Sequence, residues 1–255
     1  MSEFKDAVDK ALDLLRDGQT RILHLLMLSF MTPVVVGTNK GRETFLQGAT
    51  AEEIDDTSDM FPELRHYVEK YGRREGYWRW ARSQPRKVNR LLYQLAIAYE
   101  VALFEAFTED LLEAIFLHEP RCLASNRTVS WETVVSLGNH ESLIMHMAST
   151  LISDVVRGDW NAVVKEFADR FKIDLSKTHA EEISEIMEIR HAVVHSTGIV
   201  DNKFLKKVGT SRYGISYQLG QEIALDINTV YRIDSGIGDV AYMMCEEVLR
   251  KFDAK

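Results

Sequence analysis

The residues best suited to chemistry lie close together late in the chain: Arg190, His191 and His195. Histidine has an unperturbed pKa of about 6.5, so its imidazole can accept or donate a proton near neutral pH. Arginine stays charged and presents a planar fork of donors to phosphate oxygens. Such a set suits metal-free cleavage of RNA, because a base must activate the ribose 2′-OH while positive charge stabilises the developing phosphorane.

The placement of these residues is more informative than their spacing. The chain holds 18 arginines and eight histidines, so an arginine and a histidine five positions apart are a common coincidence. Here the pair ends a predicted helix, called the motif helix below, and Gly198 follows it. His191 and His195 should share a helix face, whereas Arg190 and His195 are separated by about 140° of rotation and about 7.5 Å of rise.

The segment Glu188–Asp201 resembles the R-x4-H motif of HEPN-superfamily ribonucleases, in which a polar residue commonly follows the arginine, as His191 does here. Further similarity to the RiboL-PSP-type branch is carried by Phe104-Glu105, by the segment Trp160–Phe167, and by Ile199-Val200-Asp201 followed by Phe204-Leu205. The resemblance covers roughly residues 88–251. We therefore predict an N-terminal helical extension over 1–87 and a HEPN-like helical core over 88–255.

The resemblance implies an endoribonuclease that needs no metal or other cofactor and acts as a toxin or defence effector. It implies catalytic roles for Arg190, His191 and His195, in a homodimer where two copies of the motif converge on RNA. Glu105 is a further candidate, as the acid that orients Arg190 or a histidine. An antitoxin or regulatory protein would be another partner. Some toxin-type members carry a modifiable tyrosine two positions after the motif histidine, where this chain has Thr197.

Two other interpretations of the segment stay open. In the first, Arg190 pairs with Glu185 or Glu188 and the histidines interact favourably with the C-terminal end of the helix dipole. A catalytically inactive HEPN-like module that binds RNA or a protein partner belongs with this interpretation. In the second, Glu188-x-x-His191 and Glu63-x-x-His66 show the spacing of di-iron helical bundles. That site needs two further helical glutamates, and Glu100, Glu105 and Glu109 supply only one helix's share, so no metal site is predicted.

A second candidate region is basic in an otherwise acidic chain. The net charge is −8, which is unusual for a protein that binds nucleic acid. Residues 63–90 nevertheless hold nine Lys or Arg, three Glu and five Tyr or Trp. Stacked aromatics and cations suit single-stranded RNA, so Arg73, Arg74, Arg79 and Arg82 are predicted to bind it. The alternative is an amphipathic segment that buries its aromatics while the cations reach solvent.

The elements that must position these residues are predicted to be helices. Helical periodicity covers Phe4–Leu15, Ile22–Met31, Asn139–Arg157, Trp160–Phe171, Thr178–Val194, Val230–Phe252 and a long helix from Pro85 to a stop at Pro120. Gly18 is predicted to end the first helix, and Ser130 to cap a short one. On the long helix the predicted buried stripe comprises Leu92, Leu95, Tyr99, Ala102, Ala106, Leu112 and Phe116.

The predicted fold class is all-α, an antiparallel helical bundle with a small β-hairpin after the motif helix. The hairpin pairs Tyr213–Leu219 with Glu222–Asp226.

Two distant cysteines indicate neither a disulfide scaffold nor a zinc ribbon. The most apolar stretch, Ile22–Val36, is about fifteen residues long, and a membrane span needs roughly 20. The acidic start does not resemble a signal peptide. We therefore expect a soluble cytoplasmic protein without membrane contact.

Overall fold

A computed structural model describes residues 3–36, 62–72, 75–76, 79, 82–124, 128–156, 160–175 and 177–253. Of residues 24–36, 62–65, 68, 85 and 177–180, the backbone alone is described. By contact pattern the chain divides into two compact units, one comprising Met1–Thr20 with Ile97–Lys255 and the other Arg21–Ala96. This division differs from the predicted boundary at residue 87, because the first twenty residues belong with the later part of the chain.

The all-α fold class is confirmed over the described residues, which contain nine α-helices and no strand. The helices are α1 Glu3–Val36, α2 Pro62–Tyr71, α3 Pro85–His118, α4 Trp131–Leu137, α5 His140–Val156, α6 Trp160–Glu166, α7 Lys177–Ser196, α8 Asn202–Val208 and α9 Ile227–Phe252. A 3₁₀ turn covers Pro120–Leu123, and a π-helical turn, Phe167–Phe171, continues α6. The motif helix is α7.

The ends of several helices follow ordinary capping chemistry. The predicted cap at Ser130 is confirmed, since its hydroxyl accepts a hydrogen bond from the Thr133 amide at 3.1 Å. Asp201 and Asp226 cap α8 and α9 in the same way, each accepting from an amide three residues ahead at 2.7 Å. These caps fix where the helices around the motif begin.

The core of the larger unit is built on α3 and α9. From α3 it receives Ile97, Val101, Phe104, Phe107, Leu111, Leu112, Ile115 and Phe116, and from α9 Val230, Ile233, Ile237, Val240, Met244 and Val248. The predicted stripe on α3 is wrong at Leu95 and Tyr99, which are 56% and 48% exposed, and at Ala102 and Ala106. In the stretch Leu91–Phe107 of this helix, 14 of the 17 positions are apolar, so periodicity alone did not identify the buried face.

Gly18 does not end the first helix as predicted, because α1 runs without interruption through it. A β-carbon built at Gly18 would lie 2.5 Å from Cδ1 of Leu103 on α3. The glycine therefore permits a close approach between α1 and α3, which is a second common reason for glycine inside a helix.

The predicted β-hairpin is not formed in the described residues. Residues 220–223 pair instead with 198–200, directly after the motif helix, through one antiparallel bridge between Ile199 and Glu222. The Val200 amide donates to the Gln221 carbonyl at 2.9 Å, and the Ile223 amide to the Gly198 carbonyl at 2.8 Å. The amides of Tyr213 and Ile215 donate to the Ser211 hydroxyl, so they are not used for strand pairing.

By length and composition alone, Arg86–His118 is long and apolar enough to cross a membrane, with a mean hydropathy of 1.3 in its most apolar window. The core helix of a soluble protein satisfies the same criteria. Phe104, Phe107, Leu111 and Phe116 of this helix are buried within the larger unit.

Candidate functional site

The motif helix is fixed by one buried face. Ile183, Ile186, Ile189 and Ala192 are buried, and α7 contacts α6, α8 and α9. Arg190 follows Ile189 and is half-buried, whereas His191 and His195 are exposed. The helix thus places the arginine at the border of the core and both histidines at the surface.

The two histidines lie side by side. Their ring centroids are 4.7 Å apart with an interplanar angle of 50°, as expected for positions i and i+4. Both rings are therefore within reach of a single group bound at the surface of the motif helix.

The helix ends immediately after His195 in an unusual backbone turn. Thr197 and Gly198 both have positive φ, 50° and 78°, and the Gly198 amide donates to the Ala192 carbonyl at 2.9 Å. Left-handed backbone is ordinary for glycine but strained for a β-branched residue. The predicted break at Gly198 is confirmed, and the turn directs the chain away from the helix axis next to the histidines.

A cavity of about 530 Å³ lies beside the motif helix, between α3, α5, α6, α7 and α8. Its walls combine apolar and charged side chains: Glu105, Thr108, Glu109, Val156, Trp160, Val163, Met187, Glu188, Arg190, His191 and Lys207. Ligand sites commonly have volumes of about 300–1,000 Å³, and most are more apolar than this cavity. Three of the predicted site residues, Glu105, Arg190 and His191, therefore line one cavity, and His195 is not part of its lining.

Glu105 is electrostatically linked to Arg190. Burial raises the pKa of the Glu105 carboxyl, the nearby Arg190 guanidinium lowers it, and the Glu109 carboxylate raises it again. Arg190 itself makes no hydrogen bond or ion pair with any side chain in the part of the chain that the structure describes. Its donors are therefore available to a ligand in the cavity, with Glu105 as the nearby acid.

The carboxylates that could have held Arg190 are engaged elsewhere. Glu188 forms an ion pair with Lys207 of α8. Glu185 is buried and accepts hydrogen bonds from the Ser211 hydroxyl at 2.5 Å, the Arg212 amide at 2.8 Å and the Tyr217 hydroxyl at 2.6 Å. The pairing of Arg190 with Glu185 or Glu188, considered above as an alternative, is thus not observed.

The sequence interpretation missed Lys207, Thr108 and Trp160 as cavity residues. Lys207 could have been found from the sequence, because Lys203, Lys206 and Lys207 form a local concentration of positive charge shortly after the motif. Thr108 and Trp160 had no such signal, since both are ordinary core residues in a helical pattern. They join the site only because α3, α6 and α7 line the same cavity.

The arginines predicted to bind RNA are placed only in part. Arg73 and Arg74 lie outside the described residues. Arg79 pairs with Glu75 at 2.7 Å, and its guanidinium lies 4.4 Å from the centre of the Tyr71 ring. Arg82 is exposed. Arg79 is therefore partly neutralised and stacked within its own segment.

Within the described residues, no group of three or more His, Cys, Asp or Glu side chains is arranged to hold a metal ion. The side chain of Glu63 lies outside those residues. The carboxylate of Glu188, the other glutamate with E-x-x-H spacing, has Lys207 as its partner.

No protein-family model, curated protein or solved structure matches this chain.

Proposed function

We propose that this chain is a metal-independent endoribonuclease that cleaves RNA by attack of a ribose 2′-OH. Its core, residues 88–255, would be a HEPN-like antiparallel bundle, with 1–87 as an extension. The observation that supports this best is the meeting of Arg190, His191 and Glu105 at one cavity, with the His195 ring 4.7 Å from that of His191. These groups are of the types that phosphodiester cleavage needs.

In the proposed reaction, the neutral imidazole of His195 removes the 2′-OH proton as the 2′-oxygen attacks phosphorus. The bond between phosphorus and the 5′-oxygen breaks, and protonated His191 supplies the proton that this oxygen requires. The products are a 2′,3′-cyclic phosphate and a 5′-hydroxyl. Arg190 stabilises the charge on the nonbridging oxygens, and Glu105 positions Arg190.

A homodimer is part of the proposal. One arginine and two histidines form a small site, and a two-fold axis would bring a second set to the same RNA. The exposed face of α7, with His191, Val194 and His195, is available for such contact. Light scattering at micromolar concentration measures the assembly, and a monomer alone would contradict it.

A cytoplasmic toxin or defence role, with an antitoxin or regulator as partner, rests on the resemblance to HEPN proteins.

The function is tested by incubating the protein with a mixed RNA pool in EDTA. We expect cleavage with cyclic phosphate ends. Arg190→Ala and His195→Ala should each lose on the order of 10²–10⁴ in rate, the usual contribution of acid–base and charge stabilisation. Their melting temperatures should stay close to that of the wild type, because His195 is exposed at the end of α7 and Arg190 makes no hydrogen bond or ion pair within the described residues. Undiminished cleavage by both variants would refute the site.

One observation favours the second candidate, an inactive HEPN-like module that binds RNA or a protein. His195 does not line the cavity that Arg190 and Glu105 share. If this separation persists with RNA bound, the chain has a binding site without its base. The RNA cleavage assay distinguishes the two candidates. The inactive module should bind RNA or a protein partner but cleave RNA in neither EDTA nor magnesium.

A further inference from the structure

Helix α8 follows the motif helix closely and is firmly attached to it. Its first turn is capped by Asp201, and the Gly209 amide donates to the Leu205 carbonyl at 3.2 Å at its end. Phe204 is buried and packs edge-on against Tyr217, with ring centroids 4.8 Å apart. α8 is thus an ordered element although it has only seven residues.

The attachment runs through a buried carboxylate of the motif helix. Tyr217, which packs against Phe204, donates its hydroxyl to Glu185, and the Ser211 hydroxyl and the Arg212 amide donate to the same carboxylate. Because Glu185 lies on the same helix as Arg190 and His195, this network fixes the position of α8 relative to both.

The outer face of α8 carries three cations. Lys203, Lys206 and Lys207 fall within an arc of about 100° on the helix, and Phe204, Leu205 and Val208 occupy the rest. Lys207 reaches the cavity that Arg190 lines, and Lys203 lines a small cleft with His191 and Ser196. Lys207 therefore lies near Arg190, and Lys203 lies near His191.

Two of these cations have no ion-pair partner among the residues that the structure describes. Lys207 is paired with Glu188, whereas Lys203 and Lys206 are exposed and make no hydrogen bond or ion pair within the described part of the chain. The chain as a whole has a net charge of −8. Lys203 and Lys206 make the surface beside the candidate phosphodiester site locally positive, and such a surface attracts a polyanion. By contrast, Arg79 already has Glu75 as its partner.

We propose that the lysine face of α8 binds the backbone phosphates of the RNA strand on one side of the bond presented to Arg190 and His195. Lys203 and Lys206 contact successive phosphates, while Lys207, held by Glu188, stays at the cavity. The inference depends on the proposed function only in taking RNA as the ligand. Phosphate contacts position a strand without reading its sequence, so binding here should be independent of base identity.

The test measures binding of a 2′-O-methyl oligoribonucleotide, which has no 2′-OH and cannot be cleaved by the proposed reaction. Fluorescence anisotropy gives Kd over a series of salt concentrations for the full chain, Lys203→Gln/Lys206→Gln and a matched control, Lys165→Gln/Lys251→Gln. The control removes the same charge from exposed positions outside both cavities.

For single strands each phosphate contact contributes about 0.7 to the slope of log K against log salt. The α8 variant should therefore lose about 1.4 from the slope and bind roughly tenfold more weakly at 0.1 M salt. The control should keep the wild-type slope. Equal losses in both variants, an unchanged slope in the α8 variant, or no binding by the wild type would each overturn the proposal.

Cleavage assays on the same proteins separate this inference from the proposed function. We expect the α8 variant to raise KM about tenfold, in line with its weaker binding, and to keep kcat. Salt-dependent binding through α8 without any cleavage would refute the nuclease and leave the inference standing. Cleavage with unchanged KM in the α8 variant would refute the inference alone.

Discussion

At the scale of single residues, the arrangement around Arg190 is defined by which acids are available to it. Glu185 and Glu188 lie on its own helix, yet each is held by other partners. Glu105, from α3, is the acid whose charge interacts with Arg190. The acid that interacts electrostatically with Arg190 thus lies 85 positions away in the sequence, on another helix.

In the proposed reaction, replacing Glu105 by glutamine should lower RNA cleavage by roughly 10- to 100-fold, since small displacements of Arg190 as the group proposed to stabilise the transition state would be costly. Glu109→Gln is the matched control, because Glu109 lines the same cavity one helical turn away and is more exposed. Cleavage rates and melting temperatures are measured on all three proteins. Equal rates for Glu105→Gln and the wild type would remove Glu105 from the site.

At the scale of elements, the segment between α8 and α9 is organised by side chains rather than by strand pairing. The Glu185 carboxylate and the Ser211 hydroxyl receive its hydrogen bonds. Burial, followed by the hydrogen bond to Glu185, raises the pKa of the Tyr217 hydroxyl. The phenol therefore stays protonated and donates across the whole physiological range.

Tyr217→Phe removes the donor of this bond and should lower the free energy of unfolding by about 1.5–3 kcal/mol, the contribution of a hydrogen bond to a charged group. Urea unfolding measures the change. Tyr231→Phe is the control, because the Tyr231 hydroxyl makes no hydrogen bond in the part of the chain that the structure describes. Equal losses in the two variants would show that Tyr217 contributes only through its ring.

The sequence predicted the features that neighbouring residues determine and missed those that depend on residues distant in the chain. The Ser130 cap, the long helix from Pro85 and the break at Gly198 were predicted, since each is fixed by neighbouring residues. The role of Gly18, the buried face of α3 and the pairing of 220–223 with 198–200 were not. Each of these depends on a partner distant in the chain, such as Leu103 for Gly18.

At the scale of the whole molecule, a buried acid, Glu100, lies next to the half-buried Asp234 in the larger unit. Glu100 of α3 is fully buried, and burial together with the neighbouring Asp234 carboxylate raises its pKa to about 8. Burial also raises the pKa of Asp234. Gln19 of α1 donates to the Asp234 carbonyl at 2.9 Å and to Glu100 at 3.5 Å. Helices α1, α3 and α9 therefore meet at a pair of carboxyls that cannot both be ionised at low cost.

This pair should make the protein less stable as pH rises. The folded state keeps the Glu100 proton up to about pH 8, whereas the ordinary pKa is 4.5, so unfolding releases a proton between these values. From pH 5 to pH 8 the free energy of unfolding should fall by at least about 1.4 kcal/mol, the equivalent of one pKa unit. Urea unfolding at several pH values measures it.

Glu100→Gln, which keeps the shape of the neutral acid, should flatten that dependence. Glu113→Gln provides the comparison, since Glu113 is an exposed glutamate on the same helix. A wild-type stability that is constant or increases between pH 5 and pH 8 would contradict the buried pair.

The pairing of residues 198–200 with 220–223 has a consequence for local opening. The amides of Val200, Gly220 and Ile223 are bonded across this contact, and they lie between the end of the motif helix and the start of α9. Groups joined in this way exchange their amide hydrogens with solvent in one cooperative event. Deuterium uptake at these three amides should therefore rise and fall together, and RNA that orders the motif end should slow all three by the same factor.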